Sequence, residues 1–360
     1  MKTIAYFITS HGFGHAARAC AVMDALRKNL SKIQFEIYTQ VPPWFFQGSL
    51  QGNFNYHALL TDIGIVQKSP LHEDLKHTLH ALDRFLPFNP SQVVRLAKQI
   101  QKNQCELMLC DISPLGITVA KEAEIPAVLI ENFTWDWIYQ SYLSQHPEIG
   151  KYIDFFKGLF ETADYHIQTQ PACHPTPVDL TTPPVSRKAR LFRQQIRSKL
   201  SLPQNAPVIL ISMGGIPPGH YPFLAQIAAQ QALFFIIPGV GESLQRHENI
   251  VFLPHHSEFF HPDLIQASDL VLGKLGYSTL AETYWAGIPF GYIIRTHFRE
   301  SEILDKFAKK EMDGFAMNET QFNRGDWISQ LPYYLNLPSR ERFGPNGSEQ
   351  IARFILSLSP

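Results

Sequence analysis

Five prolines fall within the twenty residues from Pro171 to Arg190 (PACHPTPVDLTTPPVSRKAR), a density that no helix interior or central strand tolerates. On either side of this break, short apolar runs alternate with longer segments of helical periodicity. That alternation is the pattern of a parallel sheet covered by helices on both faces. The break therefore predicts a linker over 171–190 between two α/β domains of similar size, 1–170 and 191–344. A length of 360 residues agrees with two domains at ~150 residues each.

In the first half, Thr3–Thr9, Phe35–Thr39, Glu106–Cys110, Ala127–Ile130 and His166–Thr169 read as strands. Residues 14–28, Pro90–Gln101 and Pro114–Glu124 read as helices. Ser113 is placed to cap the last of these, with Pro114 at its first position. In the second half, Pro207–Met213, Leu233–Pro238, Ile250–Leu253, Leu270–Leu272 and Pro289–Ile294 read as strands. The closing segment Ser348–Leu358 carries Ile351, Phe354, Ile355 and Leu358 on one side of an amphipathic helix. The predicted fold is α/β, two Rossmann-like doubly wound parallel-sheet domains facing across a cleft. In such sheets ligands gather beyond the carboxyl ends of the strands.

Composition narrows the classes. Hydrophobic residues at 45% and charged residues at 18% exclude a disordered chain. A formal net charge of -1 argues against a broad nucleic-acid surface. Four scattered cysteines make no disulfide framework, which points to a reducing, cytoplasmic setting. No run approaches the ~20 apolar residues of a membrane span, and the amino terminus has no signal-peptide core. Trp44-Phe45-Phe46 after two prolines offers a patch for peripheral membrane or acceptor contact, with core packing as the alternative.

The turn after the first strand reads Ser10-His11-Gly12-Phe13-Gly14-His15 and opens a helix. Gly12 and Gly14 let a ligand approach the backbone, and the helix N-terminus favours an anionic group. His11 and His15 flank the glycines, and histidine is the side chain best suited to move protons near neutral pH. The same residues formally fit a dinucleotide fingerprint, Gly12-x-Gly14-x-x-Ala17, with Glu36 as the ribose acid. Glu36, however, sits in the middle of its apolar run rather than at the end.

In the second half, Gly214 and Gly215 follow a strand, and His255 and His256 follow another. The segment Leu272-Gly273-Lys274-Leu275-Gly276-Tyr277-Ser278-Thr279-Leu280-Ala281-Glu282 puts glycines, hydroxyls and a carboxylate at a strand-to-helix turn. It admits two readings. Thr279-x-x-Glu282 fits a capping box. Alternatively, the helix start receives a diphosphate while Glu282 accepts ribose hydroxyls.

These segments resemble the GT-B nucleotide-sugar glycosyltransferases, in particular family 28. HGFGHAAR from His11 resembles that family's glycine-rich loop, and Gly276-x-Ser278-Thr279-x-x-Glu282 its donor motif. A closer similarity is to the glycosyltransferase-like amino-terminal region of L-arabinokinases. It is carried by HGFGHAAR, Asp111, ENFTWDWIY from Glu131, GKLGYSTLAE from Gly273 and GPNGSEQIARFIL from Gly344. No kinase-type G-x-x-x-x-G-K-[ST] loop occurs.

The resemblance implies a nucleotide sugar, such as a UDP-sugar, as co-substrate, and a hexosyl or N-acetylhexosaminyl group as cargo. It implies that Gly214, Gly215, Ser278, Thr279 and Glu282 hold diphosphate and ribose. His255 would lie near base or phosphates, and His15, facing the cleft from the other domain, near the reacting sugar or acceptor. It also implies that the closing helix, 345–360, crosses back onto the first domain. The first loop departs from the family 28 pattern, with His11 and Phe13 in place of small residues.

Glycosyl transfer requires the leaving diphosphate to be stabilised and the acceptor hydroxyl to lose its proton. Lys274 or Arg295 and helix N-termini can meet the first need without a metal or cofactor, and no D-x-D element occurs. His15 is the first candidate base and His11 the second, with Asp111 or Asp136 as orienter or alternative base. Helix capping is the competing role for either aspartate. Arg295, Arg299 and Glu300 follow a strand and are candidate contacts to the donor sugar, unless they form a solvated helix start. Other functions remain open on the same residues: a sugar-nucleotide epimerase or hydrolase, a non-catalytic nucleotide-sugar binder, or a dinucleotide oxidoreductase.

Overall fold

The computed structural model describes residues 2–214 and 221–358. They form two lobes, each built on a seven-stranded sheet. Across the first sheet the strands run Asn55–Ala58, Ile33–Thr39, Lys2–Ile8, Cys105–Asp111, Ala127–Glu131, Tyr165–Thr169 and Leu180–Thr182, all parallel. Chain order reverses beside Lys2–Ile8, so the crevice at its carboxyl end is where a ligand is expected. Ile4 through Ile8 are fully buried, as a strand covered on both faces must be.

The second sheet runs Gln245–His247, Ile250–Leu253, Phe234–Pro238, Val208–Ser212, Leu270–Lys274, Phe290–Ile293 and Phe315–Met317. Only the outermost Gln245–His247 pairs antiparallel. Its order reverses between Val208–Ser212 and Leu270–Lys274. These two strands approach so closely that a Cβ on Gly273 would lie 1.8 Å from the Ser212 carbonyl oxygen. Gly273 is thus required by the sheet itself.

The central strands and main helices lie where the sequence places them, and Ser113 Oγ accepts from the Gly116 N–H at 3.3 Å. The differences are at the margins. The proline-rich segment supplies a strand after all, Leu180–Thr182, pairing with Tyr165–Thr169. It is three residues long and on the edge, where flanking prolines leave no ladder donor missing. A hairpin of Gln67–Ser69 and His72–Glu73 leaves the first lobe and meets the second. There Leu71 packs against the apolar core, and His72 Nε2 lies 3.3 Å from Glu319.

The helix Gly347–Ser357 returns to the first lobe. It buries Ile351, Ala352 and Ile355 in the apolar cluster that holds Tyr6, Val22 and Leu26. Where the chain makes this second crossing, Asn346 Nδ2 donates to the Ser186 carbonyl at 3.0 Å and Oδ1 accepts from the Ser186 N–H at 3.3 Å. Among the described residues no helix is long and apolar enough to cross a membrane.

Candidate active site

A cleft of about 370 Å³ lies between the lobes, lined from both. Two helix N-termini open on it. The helix Phe13–Asn29 starts after Gly12, whose φ of 77° favours glycine, and Tyr277–Ala286 starts after Gly276. Neither has a side-chain cap, so first-turn N–H groups face the cleft. The two turns meet: a Cβ on Gly14 would lie 3.7 Å from the Ser278 Cβ.

On the first-lobe side, His15 and Arg18 share one helix face a turn apart and both reach Asp111 at the end of Cys105–Asp111. Asp111 Oδ1 lies 2.7 Å from His15 Nδ1, and Arg18 donates from Nε to Oδ2 and from Nη2 to Oδ1, each at 2.7 Å. Burial alone would raise the Asp111 carboxyl, but the Arg18 guanidinium and the His15 contact hold it below its ordinary value. An ionised Asp111 only accepts, so His15 donates to it from Nδ1, and Nε2 is left as a proton acceptor. The His15 ring lines the cleft. Asp111 is therefore no helix cap; that role belongs to Ser113.

On the second-lobe side, Lys274 and Arg295 line the cleft. Among the described residues Lys274 has no hydrogen-bonding or ionic partner. Burial, then the neighbouring Arg295 charge, push its amine down to about 7. Arg295 is buried, and among the described residues its Nε and Nη1 find no acceptor. Among the same residues its one ion pair is to Glu300, at 3.4 Å from Nη2. Two under-neutralised cations beside a helix N-terminus make an anion site. Arg295 and Glu300 are both about 4% exposed or less, so they are not a solvated helix start. Arg299 instead reaches the first lobe, donating to the Trp137 carbonyl at 2.8 Å.

His11 also lines the cleft, with its ring 5.9 Å from Phe298 and 5.2 Å from Trp135. Burial, then Arg295, hold it well below its ordinary value, so it stands neutral between aromatic rings. His255 is in the cleft wall against Phe13 and Trp44 of the opposite lobe. Gly214, with φ 78°, Ser278 and Thr279 line it too. Gly215 lies outside the described residues.

Two sequence-derived candidates sit elsewhere. Glu282 is buried behind the helix start, with Oε1 2.8 Å from Arg187 Nε and Oε2 2.8 Å from His261 Nδ1. Both carboxylate oxygens are thus engaged by protein, and neither free-ribose nor capping geometry is present. Gly276 holds the N-cap position without a capping side chain, which makes Thr279 the third helical residue. Asp136 lies in the first turn of Trp135–Tyr139 and is not among the cleft-lining residues. The dinucleotide alternative also loses its acid: Glu36 accepts from Asn55, His57 and Asn103 at 2.6, 2.7 and 2.9 Å, away from the cleft. Trp44 and Phe45 face the cleft while Phe46 is in the core, so this segment presents no membrane-facing patch.

The sequence reading missed Arg18, Asn132, Arg187 and His261. Arg18 had a signal: an arginine at i+3 from His15 in the alanine-rich first half of a helix. Arg187 had none, since it stands in the proline-rich segment where no periodicity applies.

Two parallel-sheet lobes, a cleft at their switch points and a returning last helix define the GT-B glycosyltransferase fold. Residues 2–330 match the family described as Glycosyl transferase family 1, and the chain belongs to that family. L-arabinokinase of Arabidopsis thaliana is 27% identical over 367 residues, covering 98% of this chain and 34% of the relative. The chain thus spans about a third of that protein's length. Among solved structures, UGT2 of Phytolacca americana complexed with UDP-2fluoro-glucose and pterostilbene superposes with a TM-score of 0.60 at 11% identity, over 99% of both chains. A putative UDP-N-acetylglucosamine 2-epimerase from Listeria monocytogenes gives 0.61 at 11% identity, over 99% of this chain and 94% of the other.

Proposed function

We propose that this chain transfers a glycosyl group from a nucleoside-diphosphate sugar, a UDP-sugar in the first instance, to an acceptor hydroxyl. The observation that carries the reading is one of charge. Lys274, with no ion pair among the described residues, Arg295, paired only loosely with Glu300 at 3.4 Å, and the start of Tyr277–Ala286, which has no side-chain cap, face an oriented His15 across one cleft. The diphosphate lies against Lys274, Arg295 and the first turn at Ser278 and Thr279. His15 Nε2 takes the acceptor proton as the acceptor oxygen bonds to the anomeric carbon. The bond from that carbon to the diphosphate breaks, and its electron pair leaves with the phosphate oxygen. The positive charge on Arg295 and on the protonated Lys274 meets it there, so the protein's own groups supply what a metal ion supplies elsewhere.

A thermal-shift screen over nucleoside diphosphates tests the donor site. A ligand at 100 times its Kd stabilises by ~2.7 kcal/mol, so UDP should raise the Tm by several degrees. No shift with any nucleoside diphosphate would remove the reading. The resemblance to an epimerase supports a second reading, in which the same donor site serves isomerisation. Incubating UDP-sugars without acceptor separates the two: an epimeric nucleotide sugar as product favours the second.

A further inference from the structure

Arg18 is 1% exposed, and the proposed chemistry gives it no task. Its two hydrogen bonds take both oxygens of Asp111, and its Nη2 lies 3.1 Å from His15 Nδ1. Nη1 donates to Asn132 Oδ1 at 2.7 Å. Asn132 Nδ2 in turn donates at 2.8 Å to Glu300 Oε1 of the opposite lobe, and the guanidinium carbon is 5.0 Å from the Tyr277 ring centroid. Burying a guanidinium is costly, and an apolar side chain would fill the space more cheaply. What the charge changes is its neighbour. Asp111 without it would be an uncompensated carboxylate against the imidazole, which would hold the proton that a base must be free to take and release.

We propose that Arg18 is a positioning residue of the reaction centre: it locks the rotation of Asp111 so that Oδ1 faces His15 Nδ1, and offsets that carboxylate's charge so that Nδ1 stays the donor and Nε2 the acceptor. The inference rests on His15 being the base. The other groups around the imidazole are accounted for. Asp111 comes from the strand end, Arg18 from the same helix and His11 from the turn before it. Tyr6 and Tyr277 flank the guanidinium from the first strand and the second lobe, and Glu300 reaches it through Asn132.

The test is a histidine-selective NMR titration of the whole chain without ligand, with the His15 signal assigned by its loss in H15Q. In R18Q the His15 midpoint should rise by about one pH unit, a tenfold change in proton affinity. In R18K it should rise by about half as much, because one ammonium reaches one oxygen and cannot span the carboxylate. The acidic limb of the turnover profile should move the same way. Midpoints unchanged from wild type in both variants overturn the proposal, even if both melt earlier, since lost packing alone lowers Tm without moving the midpoint. If R18Q does not fold, R18K decides alone. No nucleotide enters this measurement, so its failure is separate from failure of the thermal-shift screen.

Discussion

At the scale of single residues, three side chains divide the labour and can be separated by experiment. H15A should lower turnover by about 10²- to 10⁴-fold, the range for a lost general base, while UDP affinity measured by calorimetry stays within about twofold. Lys274 titrates at about 7, and a diphosphate beside it favours its charged form. Binding should therefore take up a proton, and affinity should fall as pH rises from about 6 to 8. Calorimetry in two buffers of different ionisation enthalpy reads that proton directly, and K274M should abolish the dependence. Glu282 behaves differently. Burial would raise its carboxyl, but Arg187 and His261 hold it below its ordinary value. Its stabilisation is therefore present above the unfolded-state value and is lost as pH falls through the folded one. E282Q leaves the buried Arg187 guanidinium without its counter-charge and should cost about 3–5 kcal/mol in denaturant unfolding at neutral pH, a gap that narrows in acid. Glu282 also marks the limit of what a sequence pattern conveys. Its spacing from Thr279 fits both a cap and a ribose contact, yet its partners come from 95 and 21 residues away. His15 and Asp111 were legible because each sits at a strand's carboxyl end or the turn beyond it, a location that the alternation of strand and helix fixes on its own.

At the scale of elements, the cleft depends on two helix starts meeting with nothing bulky between them. The 3.7 Å clearance beside Gly14 is an ordinary methyl contact, whereas a branched side chain would have to displace Ser278. G14A should therefore bind UDP nearly as wild type does. G14V should prop the turns apart and weaken binding at least about tenfold, with the fold retained by circular dichroism. Buried central strands such as Lys2–Ile8 and Val208–Ser212 were readable because both faces are apolar, which gives an unbroken run. The edges were not. Asn55–Ala58 and Gln245–His247 are short and largely exposed, so their residues carry no period, and only the neighbouring strand makes them strands.

At the scale of the molecule, the lobes already touch through side chains. Asn132 meets Glu300, Arg299 meets Trp137, and His72 meets Glu319. No pattern in the sequence announces such pairs, because each joins residues far apart in the chain on surfaces that exist only after both lobes have folded. The returning helix was legible from its apolar side, and its destination is the one the resemblance implies: it completes the first lobe's core. Deleting residues 347–360 uncovers Tyr6, Val22 and Leu26 and should lower the Tm of the first lobe by about 4–8 °C or more, seen by calorimetry as loss of a single cooperative transition.

The chain passes between the lobes twice, and Asn346 laces one passage to the other at Ser186. Two tethers set far apart would pin the halves rigidly; two tethers sewn into one seam act as a single pivot. Such a pivot would let the halves swing about that line while resisting a slide along it, which would keep His15 opposite Lys274. N346A removes the stitch together with the cap that Asn346 Oδ1 gives the Ser348 N–H at 3.0 Å, so it should lower turnover and also the Tm measured by calorimetry.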